Sequence, residues 1–314
     1  MTDVPSGGLL RQSVVCFDIG GSAIKGGAAN DPLSLLSLGR IPTPLDDFEA
    51  FAAALAGMAS QAPVAGSIAL SITGVVDPAT GLIKAANIPC IDGRPLAADL
   101  ATRLGLPVRV ANDADCFALA EAGAGAGRGH RIVFGAILGT GVGGGLVIDG
   151  RIVNGAGGFA GEWGHGPVAA TRAGDPPVAL PRLPCGCGLA GCLDTVGGAR
   201  GMERLHRHLH GATLPSTSIV EAWLAGDPAA ERTIEIQVDL LAGPLALVVN
   251  VVGADIVPVG GGLGRVKEFV ARLDREVRRR ILRRTDRPLV VPGEIAPEAG
   301  LVGAALLALL AAPA

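Results

Sequence analysis

The feature that most constrains the fold of this chain is a group of three cysteines between residues 185 and 192, preceded by a histidine at position 165. Three thiols and one imidazole form a ligand set that structural zinc sites favour, and the glycines between the thiols let the backbone turn tightly around one ion. The alternatives are buried free thiols or a disulfide. Cys185 and Cys187 are too close in sequence for an ordinary bridge, and three clustered thiols are odd in number. The sequence therefore predicts one structural Zn²⁺ held by His165, Cys185, Cys187 and Cys192, with no position left open for catalysis.

Composition and charge argue against several classes of partner. The chain has 314 residues and a formal net charge of −3, so it lacks the basic surface that binds nucleic acid or acidic lipid. No secretory-signal pattern precedes the first strand-like segment, and the apolar run over residues 301–312 is too short to span a bilayer. Six cysteines, half of them in the predicted metal site, suit a reducing compartment. We expect a cytoplasmic protein without a nucleic-acid or membrane partner.

Strand-like and helix-like segments alternate along the chain, which is typical of α/β proteins. The predicted strands cover residues 13–19, 24–29, 33–41, 67–73, 107–111, 131–138, 145–148, 151–153 and 255–259. The predicted helices cover residues 46–61, 95–104, 112–121, a long region that includes Asp227, Pro228 and Pro244, 265–280 and 301–310. Asp227 and Pro228 suit the N-cap and first position of a helix, and Pro244 is expected to kink it.

The pattern restarts in the middle of the chain. Residues 14–29 and 132–153 share one plan, an apolar strand, a glycine-rich turn and a second strand. Such a duplication predicts two similar α/β halves that face each other across a cleft suited to a polyphosphate. We assign residues 1–121 plus 298–314 to a small N-terminal domain and residues 122–297 to a larger domain with the zinc loop. The glycine-rich segment 122–129 is the predicted hinge or linker.

Two glycine turns, at residues 18–25 and 138–145, are candidates for binding phosphate. Their glycines allow backbone N–H groups to point at phosphate oxygens, Ser22 and Thr140 add hydroxyl donors, and Asp18 can orient a hydrated Mg²⁺. Neither turn matches a P-loop or a Rossmann fingerprint, and each taken alone is more simply a β-hairpin. Together with a third glycine turn after the strand at 255–259, they favour a nucleotide site.

Asn112 and Asp113 stand where a predicted strand ends and a helix begins, which is the usual ligand-binding edge of an α/β sheet. The structural alternative is a helix N-cap, and the two roles are compatible. An aspartate at this edge can accept the proton of an alcohol that attacks a γ-phosphate.

With these residues assembled, the chain resembles the ROK (repressor, open reading frame, kinase) family of sugar kinases, within the actin/hexokinase superfamily. The resemblance runs from Asp18 to the closing helix. It rests on Gly-Glu-x-Gly-His at 161–165 followed by Cys-x-Cys-Gly-x-x-Gly-Cys at 185–192. It implies a two-lobed actin/hexokinase-like (ribonuclease H-like) fold with a central cleft, and a homodimer.

The resemblance also implies roles for individual residues, with ATP, Mg²⁺ and structural Zn²⁺ as cofactors. Asp113 is the implied catalytic base. The implied sugar-binding residues are Gly74, Asn87, Asn112, Asp113, Glu162, His165 and Asp194. The implied MgATP-binding residues are Asp18, Gly20, Gly21, Ser22, Lys25, Gly139, Thr140 and Gly141 at the phosphates, and Gly260, Gly261 and Gly262 at the adenosine end. His165 is thus implied both at the sugar and at the zinc.

Within the family the chain is most similar to bacterial N-acetylglucosamine kinases, on segments 85–89, 95–103, 112–121 and 138–146. This similarity implies phosphorylation of N-acetylglucosamine at O6, with slower use of glucose. Asp194 replaces the family's glutamate and is shorter by one C–C bond, roughly 1.5 Å. The resemblance places this carboxylate on the C1–C2 side of the sugar, so it implies extra room there. Asp115 replaces an asparagine of the family pattern, and Ser22 replaces a threonine but keeps the hydroxyl.

There are three alternatives to an N-acetylglucosamine kinase. A glucokinase or fructokinase of the same family shares all the motifs. A sugar sensor that binds without phosphorylating is disfavoured because Asp113 and both phosphate turns are retained. A DNA-binding repressor is disfavoured because seventeen residues without helical periodicity precede Asp18. His206, His208 and His210 are expected on a solvent-facing side of a helix rather than at a second metal.

Overall fold

The computed structural model of the chain describes residues 13–62, 65–295 and 297–310. Two parts of the sequence interpretation fall outside these residues: the segment before Ser13, for which no DNA-binding domain is predicted, and residues 311 and 312 of the C-terminal apolar run. The described residues form two compact units. The first contains the residues up to Asp113 and those from Gly300 onward, and the second contains Ala114–Ala299.

The first unit is built on a five-stranded sheet of order β3-β2-β1-β4-β7. The pairs β1–β2 and β2–β3 are antiparallel, whereas β1–β4 and β4–β7 are parallel. The strands are β1 (Ser13–Ile19), β2 (Ala23–Asp31), β3 (Ser34–Pro42), β4 (Ala65–Ile72), β5 (Val75–Val76), β6 (Ile83–Lys84) and β7 (Val108–Asn112), of which β5 and β6 form a separate hairpin. The helices are α1 (Phe48–Ala59) and α2 (Leu96–Leu104), with a 3₁₀ turn at Pro89–Ile91.

The second unit repeats this plan with a sheet of order β10-β9-β8-β13-β14. Its helices are α3 (Asp113–Ala124, shared with the first unit at Asp113), α4 (Asp194–Gly197), α5 (Ala199–His210), α6 (Ser216–Leu224), α7 (Pro228–Val252), α8 (Gly261–Gly264) and α9 (Lys267–Arg278). Its strands are β8 (Ile132–Leu138), β9 (Val142–Ile148), β10 (Arg151–Ile152), β11 (Arg172–Ala173), β12 (Val178–Ala179), β13 (Val257–Gly260) and β14 (Val290–Pro292). Counted along the chain, both sheets have their strands in the order third, second, first, fourth, fifth. The predicted duplication is therefore confirmed at the level of strand order.

The central strand β1 shows why an almost continuous apolar run is needed in this architecture. Successive side chains of a strand point to opposite faces of the sheet. Val15 and Phe17 pack in a core with α1 and α2, while Val14 and Cys16 pack on the other face against the closing helix α10 (Ala299–Leu309). Because both faces are covered, alternation of polar and apolar residues is not possible in β1.

Helix α7 is long and apolar because it runs through the core of the second unit. Asp227 caps it by accepting a hydrogen bond from the Ala230 N–H at 2.8 Å, with Pro228 in the first turn, as predicted. Pro244 lies inside the helix, which continues to Val252. Within the described residues α7 is the one helix long and apolar enough to cross a membrane by length and composition, and 56% of its most apolar window is buried inside the protein. A core helix passes the same test, so the indication is weak.

The predicted division of the chain at residues 121/122 and 297/298 stays a prediction, but the glycine-rich segment 122–129 packs within the second unit instead of linking the two units. Glu121 is fully buried at its start. One carboxylate oxygen accepts from the Ala126 N–H and the other from the Ile295 N–H, both at 2.9 Å. A Cβ at Gly127 would lie 2.9 Å from Val133, so the glycines serve close packing rather than flexibility.

One expectation about the histidines of α5 is wrong. His206 is buried, and its Nδ1 lies 2.9 Å from the Thr233 hydroxyl of α7. Burial, with a smaller effect of His210, lowers the pKa of His206, which favours the neutral ring. His208 and His210 are more exposed.

Candidate active site

A groove of about 270 Å³ in the first unit gathers the residues of the first glycine turn. The turn joins β1 to β2 and is held by the Gly20 N–H, which donates to the Ala23 carbonyl at 3.1 Å. The Thr43 hydroxyl donates to the Gly20 carbonyl at 2.6 Å from the start of the next connection. The groove is lined by Asp18, Ile19, Gly20, Gly21, Ser22, Ala23, Lys25, Arg40, Thr73 and Asp113.

Strand register places charged side chains together in this groove. Asp18 is paired with Lys25, and Lys25 is paired with Arg40. The Lys25 ammonium lies 3.5 Å from one oxygen of Asp18, and the Ser71 hydroxyl donates to the other at 3.3 Å. A Cβ at Gly300 would lie 2.3 Å from the Asp18 carboxylate, so this approach requires glycine. Two cations beside a fixed carboxylate can bind phosphate together with its Mg²⁺.

Asp113 enters the same groove from the end of β7. Because β7 runs parallel to β4, with Asn112 opposite Ile72, the residues that follow both strands emerge at one edge of the sheet. The Thr73 hydroxyl donates to Asp113 Oδ2 at 3.4 Å. Asp113 is half-buried, and the groove leaves its carboxylate accessible. A carboxylate held in this way can accept a proton from an alcohol.

Arg40 and Thr73 belong to this groove but are absent from the residues predicted from sequence. Thr73 directly follows β4, at the sheet edge that also carries Asp113, so it could have been found by the argument used for Asn112. Arg40 is visible only through the register of β2 with β3, which a bulge shifts between Gly26 and Gly27.

The other predicted sugar-binding residues of the first unit lie close to the groove without lining it. The Asn112 side-chain amide donates to the Gly74 carbonyl at 3.0 Å. A Cβ at Gly74 would lie 2.9 Å from the Lys84 carbonyl, so packing demands glycine there. Asn87 is exposed and approaches Gly21, where a Cβ would lie 3.3 Å from the Asn87 Cβ.

In the second unit, two of the predicted glycine turns lie side by side. The turn Gly139-Thr140-Gly141 joins β8 to β9, and Gly261 follows β13, which runs parallel to β8. Gly261 has φ +81°, and a Cβ there would lie 2.4 Å from Leu138 and 2.6 Å from the Gly139 nitrogen. Gly262 has open space around its Cβ direction. The two turns thus form one glycine surface at the edge of the sheet where α/β proteins bind ligands.

The backbone of the stretch Gly161-Glu-Trp-Gly-His165 packs directly against the backbone of β9. A Cβ at Gly161 would lie 2.5 Å from the Gly144 carbonyl, and a Cβ at Gly164 would lie 2.2 Å from the Val142 carbonyl. Between them the buried Trp163 donates its indole N–H to the Gly143 carbonyl at 2.7 Å. Neither glycine can therefore be replaced without moving the strand. This packing fixes the backbone from which Glu162 and His165 project.

The four predicted metal ligands come together in the second unit. Their ligand atoms all lie within 4.8 Å of one another. The Cys187 and Cys192 sulfurs are 3.6 Å apart, and the Cys185 sulfur is 3.7 Å from His165 Nδ1. The edge between two sulfurs of a tetrahedral zinc site is roughly 3.8 Å, whereas a disulfide is about 2.05 Å long. The arrangement fits a tetrahedral ion and not a disulfide.

The thiols differ in their acid–base properties. The backbone N–H of Leu189, with smaller help from neighbouring thiols, lowers the pKa of the exposed Cys187 to about 7. Burial, reinforced by Cys187, raises the pKa of Cys192 to about 11. Cys187 therefore ionises more readily than Cys192, and a cation would supply the charge that the buried Cys192 needs to ionise.

Glu162 and Asp194 flank this cluster. His165 Nε2, the ring nitrogen not facing the thiols, lies 3.9 Å from Glu162. Burial raises the pKa of Glu162, His165 opposes the rise and Asp194 adds to it. Asp194 begins α4 and accepts the Val142 N–H at 2.8 Å with one oxygen, while the Cys185 sulfur lies 3.9 Å from the other. One oxygen of Asp194 is thus committed to the backbone beside the glycine turn.

Two sheets of the same strand order, each with a glycine turn in its first hairpin, define the actin/hexokinase class of α/β protein. The family model described as the ROK family matches residues 14–310, and the chain belongs to that family.

Relatives and solved structures agree with this class. The chain is 35% identical over 295 residues to an N-acetyl-D-glucosamine kinase of Yersinia pseudotuberculosis, covering 93% of this chain and 97% of that protein. It is 37% identical to the N-acetylgalactosamine kinase AgaK of a Shewanella species, covering 93% of this chain and 95% of that protein. A ROK family glucokinase from Streptomyces griseus, solved in complex with glucose and AMPPNP, superposes with a TM-score of 0.75 at 27% identity, covering 95% of this chain and 100% of that one. The predicted family and fold class are confirmed.

Proposed function

We propose that the protein is an ATP-dependent sugar kinase that phosphorylates N-acetylglucosamine at O6, giving N-acetylglucosamine 6-phosphate and ADP. The observation that carries this proposal is the groove of the first unit, where Asp113 lies with Asp18 and two cations. The kinase names of both relatives support the reaction class, and the bound AMPPNP of the glucokinase supports ATP as the phosphoryl donor.

In the proposed reaction Asp113 accepts the proton of the sugar's 6-hydroxyl as that oxygen attacks the γ-phosphorus of ATP. The bond to the β,γ-bridging oxygen breaks, and ADP leaves with that oxygen. Thr73 orients the Asp113 carboxylate through the hydrogen bond to Oδ2. Asp18 is the residue that we assign to the hydration shell of Mg²⁺, and that ion would supply positive charge to neutralise the phosphates.

The nucleotide is assigned to the glycine turns and their neighbours. Lys25 and Arg40 add positive charge beside the first turn, and this charge would attract the phosphate oxygens of ATP. The assigned residues are Asp18, Gly20, Gly21, Ser22, Lys25, Gly139, Thr140 and Gly141 for the phosphates and Gly260, Gly261 and Gly262 for the adenosine. Of these, Gly262 has no neighbouring atom within 4 Å of the position that a Cβ would take.

For the metal site, we propose a structural Zn²⁺ held by His165, Cys185, Cys187 and Cys192. The four ligand atoms meet the spacing of a tetrahedral site, which supports this assignment. Such an ion would cross-link the cysteine loop to the 161–165 stretch. Since His165 Nδ1 faces the thiols, its Nε2 remains available to the sugar, so both roles proposed for His165 are chemically compatible.

The sugar hydroxyls and acetamido group are assigned to Gly74, Asn87, Asn112, Asp113, Glu162, His165 and Asp194 by family resemblance. One oxygen of Asp194 already accepts the Val142 N–H, so its other oxygen is the one assigned to the sugar. Its shorter side chain leaves room for a bulky 2-substituent. A roomy pocket does not strongly reject a smaller sugar, so slower phosphorylation of glucose is part of the proposal.

A second candidate substrate is N-acetylgalactosamine, favoured by the 37% identity to the Shewanella kinase of that sugar. The two sugars share the 2-acetamido group and differ in the configuration at C4. The room beside Asp194 concerns C1 and C2 and does not distinguish them.

The experiment that tests the proposal measures ADP release with ATP and a panel of sugars. The panel contains N-acetylglucosamine, N-acetylgalactosamine, glucose, fructose and mannose, each with the wild-type protein and with Asp113→Asn as the control for contaminating kinases. We expect the highest kcat/KM for N-acetylglucosamine. A higher value for N-acetylgalactosamine would favour the second candidate, and a far higher value for glucose or fructose would indicate a glucokinase or fructokinase. Sugar binding without ADP release in the wild type would indicate a sensor.

We also propose a cytoplasmic homodimer without nucleic-acid or membrane partners, in two domains of residues 1–121 plus 298–314 and 122–297. A thiolate-rich zinc site supports the reducing compartment, and the dimer rests on family resemblance. Light scattering in solution would measure the oligomeric state directly.

A further inference from the structure

Gln237 of α7 is fully buried and binds a cluster of backbone carbonyls. Its side-chain nitrogen lies 3.0 Å from the Val196 carbonyl, 3.1 Å from the Gly197 carbonyl and 3.0 Å from the Gly198 carbonyl. Three acceptors surround that atom, so it must be the NH₂ group, because the amide oxygen would be repelled by all three. Two N–H bonds therefore serve three carbonyls.

The three carbonyls belong to the junction between α4 and α5, where α4 ends and leaves its last carbonyls without helical partners. The Gly198 carbonyl also accepts the Met202 N–H of α5 at 2.9 Å. An apolar side chain at position 237 would remove this donor from the Val196 and Gly197 carbonyls, and a buried acceptor left unsatisfied costs about 1–3 kcal/mol. Gln237 is thus the side chain that stabilises this junction from the side of α7.

The same junction rests directly on the second glycine turn. A Cβ at Gly198 would lie 2.6 Å from the Gly141 Cα and 2.7 Å from the Thr140 carbonyl, so the backbones are in contact. The Ala199 N–H donates to the Gly139 carbonyl at 2.8 Å. The Arg200 N–H donates to the Thr140 carbonyl at 3.3 Å. The carbonyls of the turn are therefore tied to the start of α5.

We propose that Gln237 is a positioning residue for nucleotide binding: by fixing the α4–α5 junction, it holds the turn Gly139–Gly141 in the conformation that accepts ATP phosphates. This inference rests on the proposed kinase function. Gln237 itself touches neither substrate, since it is buried beneath the junction. Its loss should weaken ATP binding more than sugar binding, because Asp194 at the start of α4 is held independently by the Val142 N–H and by the Gly164 carbonyl.

Two substitutions distinguish the effect of the hydrogen-bond donor from the effect of side-chain size. Gln237→Met keeps the length and removes the donor. Gln237→Glu keeps the shape, and its neutral carboxyl can still donate one hydrogen bond, whereas the ionised carboxylate faces three carbonyls and is repelled. Burial and these carbonyls favour the neutral acid, so the defect of Gln237→Glu should increase as pH rises.

The matched control is Thr233→Val, one turn earlier in α7. Thr233 is also fully buried and hydrogen-bonded, with its hydroxyl donating to the Ala229 carbonyl at 3.0 Å and lying 2.9 Å from His206. It faces α5 through His206 and makes no hydrogen bond to the junction. A general weakening of α7 would therefore affect both positions.

The experiment measures KM for ATP and for N-acetylglucosamine in ADP-release assays from pH 6 to 8, each variant normalised to wild type at the same pH. We expect Gln237→Met to raise KM for ATP about tenfold at every pH and KM for the sugar by clearly less. Both KM values of Thr233→Val should stay within about twofold of wild type. Gln237→Glu, with one donor in place of two, should raise KM for ATP by less than Gln237→Met at pH 6, and by as much or more wherever its carboxyl ionises.

An unchanged KM for ATP in Gln237→Met, or an equal rise in Thr233→Val, would overturn the inference while leaving the kinase function standing. If Gln237→Met does not fold, Gln237→Glu decides, because its neutral carboxyl supplies one donor where the amide supplies two. A KM for ATP equal to wild type at every pH would then overturn the inference. Wild-type protein that releases no ADP with any sugar would overturn the proposed function and, with it, this role of Gln237.

Discussion

Replacing Gly141 by alanine should damage the second unit for a specific structural reason. A Cβ at Gly141 would lie 2.0 Å from Asp194 Oδ1, the oxygen that accepts the Val142 N–H at 2.8 Å. The carboxylate would have to rotate away, leaving a buried N–H without its partner. Gly139 of the same turn is the matched control, because a Cβ there would meet its nearest neighbour at 3.8 Å, an ordinary contact.

The magnitude follows from the lost interaction. A hydrogen bond to a charged group contributes about 1.5–3 kcal/mol to the free energy of unfolding. For a unit of this size, the loss corresponds to a decrease in melting temperature of about 3–12 °C. Gly139→Ala should change the melting temperature by less than about 3 °C, since alanine fits there without displacing a neighbour.

The assay is thermal unfolding of Gly139→Ala, Gly141→Ala, Asp194→Ala and the double variant Gly141→Ala/Asp194→Ala. In the absence of the Asp194 carboxylate the new methyl group has nothing to displace, so the two substitutions should be strongly non-additive. Equal melting temperatures for Gly139→Ala and Gly141→Ala would refute the reasoning. So would a full additional penalty of Gly141→Ala in the Asp194→Ala background.

Three further predictions concern chemistry and metal. Asp113→Asn should lower kcat by roughly 10²–10⁴ with little change in sugar KM. The amide cannot accept the proton, but its oxygen can still accept the hydrogen bond from the Thr73 hydroxyl. Near-normal turnover would show that Asp113 is not the base. Cys187→Ala should lose both the metal, measured by elemental analysis, and sugar phosphorylation. Chelation should lower the melting temperature of the wild type. Active protein without zinc would contradict both expectations. Asp194→Glu should change the ratio of kcat/KM between N-acetylglucosamine and glucose while KM for ATP stays nearly constant; an unchanged ratio would mean that Asp194 does not contribute to sugar selection.

Elements with strong local signals could be predicted from the sequence. Strand β1 has the predicted limits because a strand buried on both faces is apolar along most of its length, here at every position except Ser13 and Asp18. The N-cap at Asp227 and the helix from Phe48 also follow local rules of capping and periodicity. The clustering of the four candidate metal ligands could be predicted for a similar reason, since three cysteines in a short glycine-rich segment are typical of few sites other than a metal site.

Features that depend on tertiary contacts could not be predicted from local sequence patterns. Arg40 joins the groove through the register of β2 with β3, and Gln237 reaches its carbonyls from a helix distant in sequence. The glycines at 125 and 127 suggest flexibility when read locally. In the structure they provide space for the buried Glu121 carboxylate and for Val133. Glycine that serves close packing and glycine that serves motion look alike in a sequence.

The central claim is the transfer of phosphate from ATP to O6 of N-acetylglucosamine with Asp113 as the base. Its most direct test is ³¹P and ¹³C NMR of a reaction containing purified protein, MgATP and N-acetylglucosamine, with Asp113→Asn protein in a parallel tube. The account predicts N-acetylglucosamine 6-phosphate, recognised by phosphorus coupling to C6, in equal amount to ADP, and almost none with Asp113→Asn. Phosphate at another carbon, inorganic phosphate in place of sugar phosphate, or equal product from both proteins would contradict it.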